Sequence, residues 1–193
     1  MRAFIAIELP PAIQAVLANV QQELAKAQAD VKWVEEDSLH VTMRFLGEIT
    51  EDQRQAIEQL LDTIACRTPT VSLGLSHLGA FPTPSSPRVI WVGIGQGSDA
   101  LERIAREFEE GLHALHLPGE DRAFVAHVTL GRVRSSRNRA QLVSRMRELA
   151  WNPLGPFAVD HLTLFQSTLT GSGPLYTPLA KPAFTQQGQG SGA

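Results

Sequence analysis

The tripeptide His-Val-Thr occurs twice, at His40-Val41-Thr42 and His127-Val128-Thr129, and the order of elements leading to each copy is the same. An apolar run at 3–9 reads as a strand ending at Pro10-Pro11, and Ile13, Leu17, Val20 and Leu24 then follow at helical spacing. Residues 31–34 and 39–46 read as strands, the second carrying the first His-Val-Thr. Thr50 caps a helix with the stripe Ile57, Leu60, Leu61 and Ile64, and 71–75 alternates as a strand does. Pro82, Pro84 and Pro87 predict a loop over 81–87. From Arg88 the order restarts: a strand at 88–94, then a helix opened by Ser98-Asp99 with Leu101, Ile104, Phe108 and Leu112 on one face. A strand at 124–133 carries the second copy, followed by a helix at 139–149 and strands at 159–167 and 174–179. The repetition predicts an α/β (α+β) chain of two pseudo-symmetric lobes, each a mainly antiparallel sheet with outer helices, facing across a central cleft. Residues 1–184 read as one bilobal domain, and the Gln/Gly/Ser-rich stretch 185–193 as a disordered tail.

Bulk composition excludes several classes of function. A hydrophobic content of 43% is that of a globular chain, and at 193 residues about 70% of the unfolded surface can be buried without a staple. Cys66 is the single cysteine, which leaves no internal disulfide and no cysteine-based zinc cluster and fits a reducing cytosol. No apolar run is long enough to span a membrane, and the start reaches Glu8 and two prolines too soon for a signal peptide. A formal charge of −3 excludes a generally basic nucleic-acid glove, so any contact with RNA must be local. A cytoplasmic monomer is the expectation.

On a strand, side chains alternate faces, so each copy offers an imidazole and a hydroxyl together: His40 with Thr42, and His127 with Thr129. Apolar Val41 and Met43, or Val128 and Leu130, anchor the reverse face. One such tripeptide is usually a core strand with a hydrogen-bonded histidine; two at equivalent places are harder to dismiss. Imidazoles titrate near pH 6.5, so one can be free while the other is protonated, as concerted base and acid catalysis requires. Threonine hydroxyls and backbone N–H groups can bind the non-bridging oxygens of a phosphate between them. The pattern suits in-line displacement at a cyclic phosphodiester, whose leaving oxygen is held in the ring. It calls for no metal and no cofactor.

The stretches His40-Val41-Thr42-Met43-Arg44-Phe45-Leu46-Gly47 and His127-Val128-Thr129-Leu130-Gly131-Arg132 resemble the paired motifs of the 2H phosphoesterase superfamily. More narrowly they resemble its RNA 2′,3′-cyclic phosphodiesterase branch, also called the bacterial and archaeal 2′-5′ RNA ligases. The opening 2–10 is similar to that branch, as are Leu164-Phe165-Gln166-Ser167 and Tyr176-Thr177-Pro178-Leu179. The resemblance implies His40 and His127 as the catalytic dyad, Thr42 and Thr129 as phosphate ligands, and Arg132 at the phosphate or terminal ribose. It implies an RNA bearing a 2′,3′-cyclic phosphate end as partner, opened to a 2′-phosphate, with 2′-5′ ligation as the reverse reaction. A cyclic phosphodiesterase of small nucleotides and a non-catalytic RNA-end-binding module are the alternatives.

Other residues keep two readings. Strict alternation puts Arg132 on the face opposite His127, unless a bulge at Gly131 brings it round. Phe45 either stacks a base or fills core. Arg44 falls on the His40 face if the strand is regular, or makes a surface ion pair. Tyr176 either lines the cleft or makes a structural contact. His113 and His116, three apart near a helix end, lack an evident third metal ligand, and His77 and His161 lack a repeated context. Arg132, Arg134, Arg137 and Arg139 form a basic cluster, either a local landing strip for RNA phosphates or a solvated loop.

Overall fold

The computed structural model describes residues 1–120, 122–149, 151–171 and 173–186. The first repeat contributes β1 (Arg2–Glu8), α1 (Pro11–Ala25), β2 (Val31–Trp33), β3 (His40–Glu48), α2 (Glu51–Ala65) and β4 (Val71–Thr83). The second contributes β5 (Ser86–Ile94), α3 (Ser98–Ala114), β6 (His127–Val133), α4 (Arg139–Glu148), β7 (Leu154–Val159), β8 (Thr163–Leu169) and β9 (Pro174–Ala180). The helices form where the apolar stripes lie: Leu17 and Leu24 of α1, Ile57 and Leu61 of α2, and Leu101 and Phe108 of α3 are fully buried. Thr50 closes a full capping box with Gln53 at the start of α2, satisfying two otherwise unpaired N–H groups.

All strands join one antiparallel sheet in the order β7-β4-β5-β6-β3-β1-β8-β9, with β2 added beside β6. The halves meet through a single register pair, Val41 with Val128, so the two His-Val-Thr strands run side by side in opposite directions. Each half is built from both repeats. The strand β4 leaves the first repeat to pair with β5, and β8 leaves the second to pair with β1. The helices cross as well: α1 packs on β6 and α4, while α3 packs on β3 and α2. Gln21 of α1 secures this crossing, donating to the carbonyls of Val34 and Leu130 at 2.8 Å each.

Alternation sorts the two faces. Ala3, Ile5 and Ile7 join the large helix-covered core, whereas Phe4 and Ala6 pack with Phe165 and Tyr176 on the other face. That other face carries His40 and Thr42.

Two sequence expectations fail here. Residues 81–87 are no loop: Phe81 pairs with Val89, Pro82 with Pro87 and Thr83 with Ser86, with a tight turn at Pro84-Ser85. An antiparallel ladder contains pairs that exchange no N–H···O bonds, and two prolines facing one another there forfeit nothing. The single strand expected over 159–167 is two, β7 and β8, joined by Asp160, His161 and Leu162. Three residues span little more than about 14 Å even when extended. The sheet therefore curves until β7, at one end of the strand order, lies near β8 at the other. No Gly or Pro marks this passage. Among shorter differences, the second motif strand starts at His127 rather than 124. Thr185 is held by Thr68 and Thr70, and residues 187–193 of the expected tail lie outside the described residues.

Candidate active site

Both motif strands carry an extra residue relative to their neighbours at the same place, and β3 carries a second further along, at Leu46. Thr42 faces Ala6 but Arg44 faces Ile5, so β3 bulges at Met43; Thr129 faces Trp91 but Gly131 faces Ile90, so β6 bulges at Leu130. The bulge reverses the alternation beyond it. Arg132 therefore shares the face of His127 and Thr129, and Phe45 shares the face of His40 and Thr42. The bulge centres on Leu130, not Gly131. The glycine serves a different need, since a Cβ there would lie 2.8 Å from the side chains of Trp33 and Val31, where β2 pairs with β6.

The same bulge removes Arg44 from the His40 face. It is 6% exposed and pairs with Glu109 at 3.0 Å, with Glu120 and with the carbonyl of Pro118, so it anchors the segment after α3. Phe45, by contrast, is 57% exposed and lies beside Phe4 with ring centroids 6.2 Å apart, so it does not fill core.

Both imidazoles are tied through Nδ1 in the same way. The Nδ1–H of His40 donates to the carbonyl of Ser38 at 2.7 Å, and that of His127 to Val125 at 2.6 Å, each two residues back. In both rings this leaves Nε2 as the nitrogen available for proton transfer. The Thr42 hydroxyl lies 3.0 Å from Nε2 of His40 and donates to it in the neutral ring. The pairing of Val41 with Val128 makes the histidines diagonal neighbours, about 7–8 Å apart at Cα in a regular antiparallel pair. Burial pushes both imidazoles below their ordinary value. For His40 the Ser38 carbonyl and the Glu8 carboxylate oppose that push, while His127 adds to it. For His127 the Val125 carbonyl opposes it and the Arg132 guanidinium adds to it.

Each histidine sits among aromatic rings. Phe4 stacks on His40 with centroids 5.1 Å apart, and Tyr176 meets it edge-on at 5.8 Å. Phe81 meets His127 edge-on at 5.2 Å, and Trp91 tilts against it at 5.9 Å. These rings explain the burial of the imidazoles. Tyr176 does line the cleft: burial raises its hydroxyl, with Arg132 and Arg2 acting in the opposite sense. Phe81 and Trp91 escaped the sequence reading because their place beside His127 depends on the pairing of β4, β5 and β6.

The remaining candidates scatter. His77 packs edge-on against Trp91, and His161 bonds Glu8 and Asp160. His113 lies in the last turn of α3, with His116 in the turn beyond. Of the four arginines in the basic cluster, only Arg132 is on a strand. Arg134 and Arg137 are exposed before α4, and Arg139 begins that helix. Among the described residues, no three His, Cys, Asp or Glu side chains gather as a metal site. No described helix is long and apolar enough to cross a membrane.

Two antiparallel His-x-Thr strands, with imidazoles tied through Nδ1 and aromatic walls on each side, define a two-histidine phosphoesterase. The family model for LigT-like phosphoesterases matches the chain twice in tandem, over residues 7–91 and 92–176, and the chain belongs to that family. It is 38% identical to the RNA 2′,3′-cyclic phosphodiesterase of Aeropyrum pernix over 84% of this chain and 92% of that one. It is 34% identical to the protein of the same name from Methanocaldococcus jannaschii, over 91% and 96%. In three dimensions it is similar to LigT of E. coli complexed with 3′-AMP, with a TM-score of 0.76 and 28% identity over 96% and 98% of the two chains.

Proposed function

We propose that this chain is an RNA 2′,3′-cyclic phosphodiesterase in which His40 and His127 act as general acid and general base. The observation that carries the reading is the matched tethering of both imidazoles through Nδ1 on two neighbouring, oppositely directed strands. The named relatives support the substrate class.

His127 takes a proton from water as the water oxygen attacks phosphorus. His40 gives its proton to O3′ as the O3′–P bond breaks, leaving a 2′-phosphate and a 3′-hydroxyl. A nearby cation keeps a resting imidazole in its free form, ready to act as base, and a nearby anion favours its protonated form, ready to act as acid. The cation Arg132 acts on His127, and the carboxylate of Glu8 acts on His40. Thr42, Thr129 and Arg132 bind the non-bridging oxygens, where charge shifts in the transition state. Phe45, exposed beside Phe4, offers a stacking surface for a base. With a 5′-hydroxyl attacking phosphorus in place of water, His127 takes the proton of that hydroxyl, His40 again protonates O3′ as the O3′–P bond breaks, and a 2′-5′ linkage results.

The test is incubation of the pure protein with an oligoribonucleotide ending in a 2′,3′-cyclic phosphate, with the product end identified. A 2′-phosphate is expected. An unchanged end overturns the enzymatic reading, and a 3′-phosphate overturns the assignment of the leaving oxygen. Faster turnover of a cyclic mononucleotide than of the oligonucleotide assigns the enzyme to small nucleotides instead.

A further inference from the structure

The shared register of the two repeats gives the residues that face the two histidines counterparts. Glu8 of β1 faces His40 of β3, and Gly93 of β5 faces His127 of β6. The first imidazole thus has a carboxylate on the same sheet face, and the second has no side chain at that position. Gly93 leaves little room for one, since a Cβ there would come within 2.8 Å of the Ser76 hydroxyl and 3.3 Å of the Trp91 ring.

Glu8 is held in place. Its Oε2 accepts from the Thr163 hydroxyl at 2.7 Å and His161 Nε2 at 3.0 Å, and pairs with Lys181 Nζ at 2.9 Å. His161 is oriented in turn by Asp160, 2.6 Å from its Nδ1. Burial pushes the Glu8 carboxyl up, but these donors and the Lys181 charge outweigh it and hold the group below its ordinary value. It is an anion throughout the range in which imidazoles titrate.

Resting on the acid–base reading above, we propose that Glu8 is a positioning residue that gives two like-held imidazoles unlike tasks. Its clamped carboxylate favours the proton on His40 over His127, which has no carboxylate facing it in the sheet, and this suits His40 to be the acid for the leaving oxygen. The charged and titratable groups facing His40 are Glu8 from β1, His127 from β6 and Tyr176 from β9. Those facing Glu8 from beyond β1 and β3 are His161, ahead of β8, and Lys181, just after β9, with Asp160 behind His161. Lys181 is half exposed and moderates the field that Glu8 presents, so its removal acts in the opposite sense.

The pH–rate profile for hydrolysis of an RNA 2′,3′-cyclic phosphate tests this, with His40 titrated in parallel by NMR. In Glu8→Gln the alkaline limb and the His40 titration should both move down by about half to one pH unit, as expected for a charge a few ångströms away across a partly wet site. The acid limb and KM should stay, and Glu8→Asp should restore most of the limb. Lys181→Met, at a half-exposed position that folding tolerates, should move the same limb up. If neither variant moves the alkaline limb, or both limbs and KM change together, the proposal is overturned and Glu8 is only a structural link between β1 and β8. His40→Ala, run alongside, separates the two levels: near wild-type turnover sinks the dyad and the proposal with it. Loss in His40→Ala beside an unmoved limb in Glu8→Gln sinks the proposal alone.

Discussion

The His40 and His127 sides of the cleft share a motif, a bulge and a carbonyl tether, yet differ at the positions that surround the motif. Facing Thr42 is Ala6, and facing Thr129 is Trp91. Beyond the bulge stands Phe45 on one side and Arg132 on the other. The His40 wall is assembled from Phe4, Phe165 and Tyr176, and the His127 wall from Phe81 and Trp91. Duplication supplied two equivalent imidazoles on one backbone plan, and the side chains around them then diverged. On the proposed reading, a phosphate between the two strands would meet a side carrying the Glu8 anion and a side carrying the Arg132 cation, both walled by aromatic rings, which is the asymmetry that acid–base catalysis with two histidines needs.

The severest break in this comparison is removal of either imidazole. His40→Ala and His127→Ala should each lower kcat by about 10²–10⁴-fold while circular dichroism and thermal unfolding show a folded chain. A folded His127→Ala variant with near wild-type turnover would show that the two sides are not partners.

Next come the counterparts Arg132 and Phe45. Arg132→Ala removes a charge-assisted contact of about 1.5–3 kcal/mol, so kcat/KM should fall by about 10–100-fold on cyclic mononucleotide and oligonucleotide alike. Stability should hardly change, because Arg132 is exposed. Phe45→Ala should weaken oligonucleotides more than mononucleotides, if it stacks a base beyond the cyclic end. Equal effects of both substitutions on both substrates would erase the division of labour.

The pH dependence sharpens the comparison further. Burial disfavours the imidazolium on both sides, so both groups titrate below the ordinary histidine value of about 6.5. The bell in kcat/KM, which reports the free enzyme, should therefore peak on the acid side of that value. The bell in kcat should lie higher, because a bound phosphate anion favours the imidazolium. Since the two rings interact, the limbs belong to the pair. A peak well above pH 7 in kcat/KM contradicts the burial argument.

A smaller effect concerns the helix crossing. Gln21→Leu leaves the carbonyl of Val34 without this donor, while that of Leu130 keeps the Val34 N–H, and the change should cost about 1–3 kcal/mol in urea unfolding. Activity should fall little unless β6 shifts. Least of all should come from EDTA, since the catalytic groups invoked are an imidazole pair: turnover should be unchanged, and loss restored by a divalent ion would replace the dyad with a metal mechanism.

Much of this was legible in the linear chain because it depends on local periodicity. Helical stripes such as Leu101, Ile104 and Phe108, the Thr50 cap and the repeated His-Val-Thr all state their roles within a few residues. The duplication and the pairing of imidazole with hydroxyl on each strand follow from spacing alone. The bulge at Met43 was not legible, since a bulge is a relation between two strands, and the one at Leu130 was legible only as an alternative one residue away at Gly131; together they decided that Arg44 is an anchor and Arg132 faces the cleft. The proline-bearing hairpin and the passage through Asp160 and His161 were likewise hidden, because partner strands, not turn residues, define them. Glu8 looked like the end of an opening strand. Only the tertiary structure set it opposite His40 with Thr163, His161 and Lys181 gathered on its carboxylate. Sequence alone determined which chemistry the chain carries and how many times. Which charges surround each copy was decided by long-range pairing, because electrostatic environment is a property of neighbours in space that no periodicity along the chain encodes.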